Sequence, residues 1–116
     1  MDVTSKKLHV NFYQTESGVE PVREWLKELP KSDKKVIGED IKTVQYGWPL
    51  GMPLVDSLGH GLWEVRTKLK GRIARIIFFL DKDTMILVNG FIKKTKKTPK
   101  MELDLAKKRK NQYETN

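Results

Sequence analysis

The sequence predicts an α+β protein of order β-α-α-β-β-β-α, with helices packed on a mostly antiparallel sheet. Three observations carry this. Apolar and polar residues alternate around Leu8–Tyr13 and Leu62–Leu69, the two-residue period of half-buried strands. Between Pro21 and Trp48, apolar residues recur every three or four positions, the period of a helix. The nearly unbroken apolar run Arg72–Leu80 is followed after a short polar turn by a second one, Met85–Lys93, as in a central hairpin.

Taken in order, Leu8, Val10 and Phe12 share one side of a first strand, and Gly18 ends the segment. Pro21 suits the first position of a helix, and Val22, Trp25, Leu26 and Leu29 form its apolar stripe. Pro30 closes it. Ser32 is a candidate N-cap for a second helix, with Asp33 favourable in its first turn and Ile37, Ile41, Val44 and Trp48 on its apolar face. These two helices form an N-terminal helical hairpin. The stretch Gly47–Pro53 reads as a turn-rich connection running on through Leu54, Val55 and Leu58. Leu62–Leu69 places Trp63, Val65 and Leu69 on one face and Glu64, Arg66 and Lys68 on the other. Asp81-Lys82-Asp83 turns Arg72–Leu80 into Met85–Lys93. Thr98-Pro99 then reads as an N-cap and first-turn proline, opening a C-terminal helix that extends to about Tyr113. No repeat or linker divides the chain, so one domain spanning 1–116 is expected.

Charge is distributed unevenly. Residues 59–116 hold 15 Lys and Arg against 6 Asp and Glu, whereas residues 1–58 hold 8 against 9, so the net +8 lies in the second half. Clustered cations of this kind suit a polyanion, with nucleic acid the first expectation. The absence of cysteine excludes disulfides and thiolate metal sites and fits a cytosolic protein. The opening residues carry no apolar leader, and no apolar run approaches the roughly 18 residues of a membrane span, so a cytoplasmic protein without a membrane partner is expected.

Several polar residues interrupt the strands. Arg75 stands within an apolar run. Since burying an unpaired arginine costs several kcal/mol, it either pairs with Glu64 across the strands or reaches a groove at the sheet's rim. The run Lys93-Lys94-Thr95-Lys96-Lys97 reads first as solvated surface, as lysine runs usually are, with a phosphate contact as the alternative. Lys107 to Lys110 complement the dipole at a helix C-terminus without needing any ligand. Tyr113 reads as a helix anchor. His9 and His60 lie in no ligand-like spacing, and Asp81 and Asp83 belong to a turn, so no metal site is expected. Neither a Ser-His-Asp arrangement nor a phosphate-cradling glycine loop is present. Phosphodiester cleavage by such a chain would need no metal or cofactor. A carboxylate or amine would deprotonate a 2′-hydroxyl while cations stabilise the phosphorane charge, chemistry that only RNA permits.

Three stretches then carry a resemblance: Gly61-Leu62-Trp63-Glu64-Val65-Arg66; Arg75-Ile76-Ile77-Phe78-Phe79; and Gly90-Phe91-Ile92-Lys93-Lys94-Thr95 with Thr98-Pro99 and Glu102. They resemble the phage-derived branch of the RelE/HigB toxin superfamily, the toxin halves of type II toxin–antitoxin modules. The similarity runs from about Leu8 to Tyr113 and is most specific from Gly61 to Ala106. It implies a RelE-like fold and a ribosome-dependent mRNA endoribonuclease, neutralised by a helix-turn-helix antitoxin and meeting operator DNA only through the antitoxin complex. Carried over by position, it implies that Arg75 binds the scissile phosphate. Arg66 with Lys93 or Lys94 would stabilise charge or shuttle protons, and Glu64 would be a candidate base. Lys68, Arg72, Lys96, Lys97, Lys100, Lys108 and Arg109 would contact RNA. Some relatives use a histidine or tyrosine near the C-terminus, where this chain offers only Tyr113. Two other readings stand beside this one: a ParE-like toxin that poisons gyrase, and a non-enzymatic nucleic-acid-binding domain.

Overall fold

The computed structural model describes residues 5–116; what the sequence implies for residues 1–4 lies outside them. The elements are β1 (His9–Phe12), α1 (Pro21–Lys27), α2 (Lys31–Gly47), β2 (Val55–Gly59), β3 (Leu62–Leu69), β4 (Arg72–Asp81), β5 (Thr84–Lys93) and α3 (Lys100–Thr115). The fold is α+β, with a five-stranded sheet in the order β1-β5-β4-β3-β2. All neighbouring strands are antiparallel except β1, which runs parallel to β5.

One strand is additional to the expected order. Val55–Gly59 pairs with β3 as an edge strand instead of continuing the turn-rich connection. Asp56, Ser57 and Gly59 are poor strand formers, and Pro53 stands just before them. Pairing with β3 outweighs that local preference. Two expected caps also differ. α2 begins at Lys31 with Pro30 as N-cap, so Ser32 lies inside the first turn. α3 begins at Lys100 with Pro99 as N-cap, which releases the Thr98 hydroxyl for another partner.

The sheet is covered on both faces. Val22 of α1 with Ile37 and Val44 of α2 packs against Val55, Val65, Ala74, Ile76, Phe78, Met85 and Leu87. On the other face, Ala106 of α3 meets Leu62, Ile77, Phe79, Ile86, Val88 and Phe91. Burial on both faces explains why β4 and β5 read as continuous apolar runs. Gly90 in β5 admits α1 to the sheet: a Cβ there would stand 2.5 Å from Trp25 Cε3. In α3 only Ala106 is buried. Polar contacts anchor that helix: Asn89 Nδ2 donates to Glu102 Oε2 at 2.6 Å, Arg109 donates to the Val88 carbonyl at 2.7 Å, and Tyr113 donates to Asp81 at 2.6 Å.

Candidate active site

The connection between β5 and α3, residues 94–99, reaches β3 and β4 through the Lys96 carbonyl and the Thr98 hydroxyl. The β3–β4 register sets Arg66 directly opposite Arg75, while Glu64, two residues earlier on the same face, lies opposite Ile77. Like charges opposed across strands repel. Here a carboxylate and a carbonyl compensate them. Glu64 Oε1 lies 3.7 Å from Arg75 Nη1 and 3.8 Å from Arg66 Nε. Both arginines also donate to the Lys96 carbonyl, Arg75 at 2.8 Å and Arg66 at 3.2 Å. Thr98 Oγ1 donates to Glu64 Oε2 at 2.7 Å, so the second expected cap residue instead ties the connection to the carboxylate.

The cluster is graded in depth. The side chains of Arg75 and Glu64 are 0% and 1% exposed, whereas that of Arg66 is 13% exposed. Glu64 Oε1, Arg75 Nε and Arg75 Nη2 are buried without hydrogen-bond partners among the described residues. Burial pushes the Glu64 carboxyl above its ordinary 4.5, opposed first by the Thr98 hydrogen bond and then by Arg75 and Arg66. Burial likewise lowers the Arg75 guanidinium, while Glu64 supports its charge. Of the two alternatives for Arg75, the ion pair with Glu64 describes this geometry, though no hydrogen bond joins them. Two of its nitrogens still have unused donor capacity.

The remaining candidates separate into groups. Lys93, Lys94, Lys96 and Lys97 are exposed, at the end of β5 and in the connection that follows it. Arg66, Lys68 and Lys96 also line a pocket of about 260 Å³ with Met52, Pro53 and Ile73. Arg72 is not brought to the cluster: its Nη2 donates to both oxygens of Asp33 on α2, at 3.1 and 3.3 Å. Lys100 pairs with Asp104 along α3 at 2.7 Å. Arg109 is engaged at the Val88 carbonyl, with its guanidinium 5.9 Å from the Tyr13 ring centre. Lys108 and Arg109 border a separate cleft of about 400 Å³ with Tyr13 and Thr15. A cleft of about 610 Å³ beside β1 is lined by Glu20, Asp81 and Tyr113 but by no Lys or Arg, so it does not suit a polyanion. Tyr113 donates to Asp81, which raises its phenol above 10.0, and packs edge-on to Phe79. These contacts make it an anchor. No group of three or more His, Asp or Glu side chains arranged for a metal occurs among the described residues.

Thr98, Met52, Pro53, Ile73 and the Lys96 carbonyl are parts of this region that the sequence did not single out. Thr98 was visible as a helix cap and as part of the stretches that carry the resemblance, with no role at a carboxylate. A backbone carbonyl carries no sequence signal at all.

Residues 24–111, more than half of the chain, match the family of phage-derived Gp49-like proteins (DUF891). The chain belongs to this Gp49-like family. No curated protein matches it. The matched span holds the whole cluster in this Gp49-like chain, from Glu64 through Thr98, and omits β1.

Proposed function

We propose that this Gp49-like chain is the toxin of a type II toxin–antitoxin module and cuts mRNA on the ribosome without a metal ion. The observation that carries the reading is the opposed pair Arg66 and Arg75, converging on one carboxylate with two buried Arg75 nitrogens unpartnered. Family membership and the basic second half support it.

The chemistry is transesterification. A 2′-hydroxyl oxygen attacks the neighbouring phosphorus, the bond to the 5′-oxygen breaks, and a 2′,3′-cyclic phosphate and a 5′-hydroxyl result. The guanidiniums of Arg66 and Arg75 neutralise the charge that develops on the phosphoryl oxygens. Donors prepositioned in this way at a water-poor site are worth about 10²–10³ in rate each. Arg66 meets the phosphate first. Arg75 joins when a phosphoryl oxygen takes the place of the Lys96 carbonyl, which requires residues 94–99 to move outward. That movement also frees Glu64 from Thr98. A carboxylate with a raised pKa is a better base than an ordinary glutamate, so Glu64 is suited to accept the 2′-proton. Lys93 and Lys94, exposed at the end of β5, would protonate the departing 5′-oxygen or hold flanking phosphates. A helix-turn-helix antitoxin would neutralise the module and carry the complex to operator DNA.

The test maps new 5′ ends across messenger RNAs after induction in growing bacteria, for the wild-type chain and for Arg66→Ala. The more exposed Arg66 is chosen because its removal disturbs the fold less than removal of Arg75. Cuts within translated frames that fall at least about 10²-fold in the variant are the expected result. Growth arrest without new ends would instead favour a gyrase poison, and binding of RNA without cleavage or arrest would favour a non-enzymatic binding domain.

A further inference from the structure

The pocket beside the arginine cluster has a composition that the phosphate chemistry does not use. Met52, Pro53 and Ile73 form apolar walls, and Arg66, Lys68 and Lys96 contribute cationic groups. Met52, at 59% exposed, offers an accessible apolar wall to an incoming ligand. At about 260 Å³ the pocket falls below the 300–1,000 Å³ of sites for drug-sized ligands. It therefore suits a single planar ring better than a helix face. Two of its residues belong to the cluster: Arg66 pairs with Glu64, and Lys96 supplies the carbonyl that both arginines hold. Whatever enters the pocket lies beside the phosphate site.

We propose that this pocket holds one unpaired base of an RNA strand, the base flanking the phosphate at Arg66, and favours guanine. The occupant must be apolar on its faces and joined to an anion, which describes a nucleotide. Unpaired bases are commonly held by stacking on apolar side chains and guanidinium planes. The guanine preference follows from donor and acceptor balance. The polar side chains lining the pocket, Arg66, Lys68 and Lys96, are donors only. Guanine presents two acceptors, O6 and N7, on one edge, whereas adenine pairs its N7 with a donor amine. Placement of the base beside a cut rests on the ribonuclease reading above.

The test is a methyl-resolved NMR titration of the full chain with 5′-GMP, 5′-AMP, 5′-CMP and ribose 5-phosphate. Saturable ring-current shifts at the Met52 and Ile73 methyls with GMP are expected, with affinity about fivefold above AMP. Ribose 5-phosphate should leave both methyls unmoved. Lys68→Gln should retain the stacking shifts and lose the preference for guanine. Absence of shifts at these methyls, or equal shifts with ribose 5-phosphate, overturns the base site. Equal affinity for GMP and AMP, or an unchanged preference in Lys68→Gln, overturns the guanine assignment. Because the titration requires no ribosome and no cleavage, its failure is separable from failure of the ribonuclease reading, which the mapping of 5′ ends decides alone.

Discussion

Arg75 and Glu64 each make sense only with the other. Neither has meaningful access to water, and each leaves polar atoms unpartnered. Arg75→Ala would leave Glu64 buried without its deeper counter-charge, an imbalance that typically costs about 3–5 kcal/mol. A large fall in the urea midpoint of that variant, against a much smaller one for Arg66→Ala, is the expected result. Thr98→Val tests the carboxylate from its other side. Glu64 has a folded pKa above its ordinary 4.5, so its contribution to stability is fully present below that value and is lost as pH rises through the folded pKa. Removing the Thr98 hydroxyl takes away the largest influence holding the carboxyl down. The folded pKa then climbs further, and an unpaired carboxylate oxygen costs about 1–3 kcal/mol once ionised. Urea midpoints taken at about pH 5 and about pH 8 should therefore fall more steeply with pH in Thr98→Val than in the wild type. A parallel pair of lines would show that the hydrogen bond does not distinguish the two protonation states of Glu64.

At the scale of elements, β5 organises the molecule. It pairs with β1 and β4, receives α1 at Gly90 and anchors α3 through Asn89. Gly90→Ala places a Cβ within 2.7 Å of two Trp25 ring atoms, and either the indole or the whole of α1 must shift. A loss of about 1–3 kcal/mol is expected, measured by thermal unfolding. Trp25→Leu in the same chain should recover part of it, since the two positions share one contact. The connection between β5 and α3 behaves differently. Its lysines are exposed and its attachments to the sheet run through the Lys96 carbonyl and Thr98. Freeing the arginines breaks three hydrogen bonds that involve charged groups, and the proposed chemistry requires the incoming phosphate to replace them.

For the whole molecule, the charge asymmetry of the chain becomes a spatial one around the candidate site. Lys68, Lys93, Lys94, Lys96 and Lys97 are exposed near the opposed arginines, whereas the cleft beside β1 is acidic. No helix among the described residues is long and apolar enough to cross a membrane. RNA binding should weaken steeply with salt, by about 0.7 logarithmic units per tenfold salt for each phosphate neutralised. Replacing Lys93, Lys94 and Lys97 together by alanine should reduce that slope by about 2 if each contacts a phosphate. Fluorescence anisotropy across a salt series measures it directly, and an unchanged slope would remove these lysines from the interface.

The α+β class, both N-terminal helices, the central hairpin and the basic second half were legible because each rests on local periodicity or on counting. Arg75 was legible as a polar interruption of an apolar run, and Glu64 and Arg66 as the polar face of an alternating strand. The pairing of β2 was not, since its five residues owe their extended form to β3 rather than to their own preferences. The role of Thr98 was not legible, because nothing local distinguishes a hydroxyl that serves a helix from one that reaches a carboxylate 34 residues away. Sequence alone set which charges the chain carries and roughly which strand face they occupy. Tertiary structure alone decided that two of them stand opposite one another, that one carboxylate and one carbonyl compensate both, and that Arg72 and Arg109 are engaged elsewhere. Those outcomes depend on strand register and on the path of residues 94–99, which long-range pairing determines.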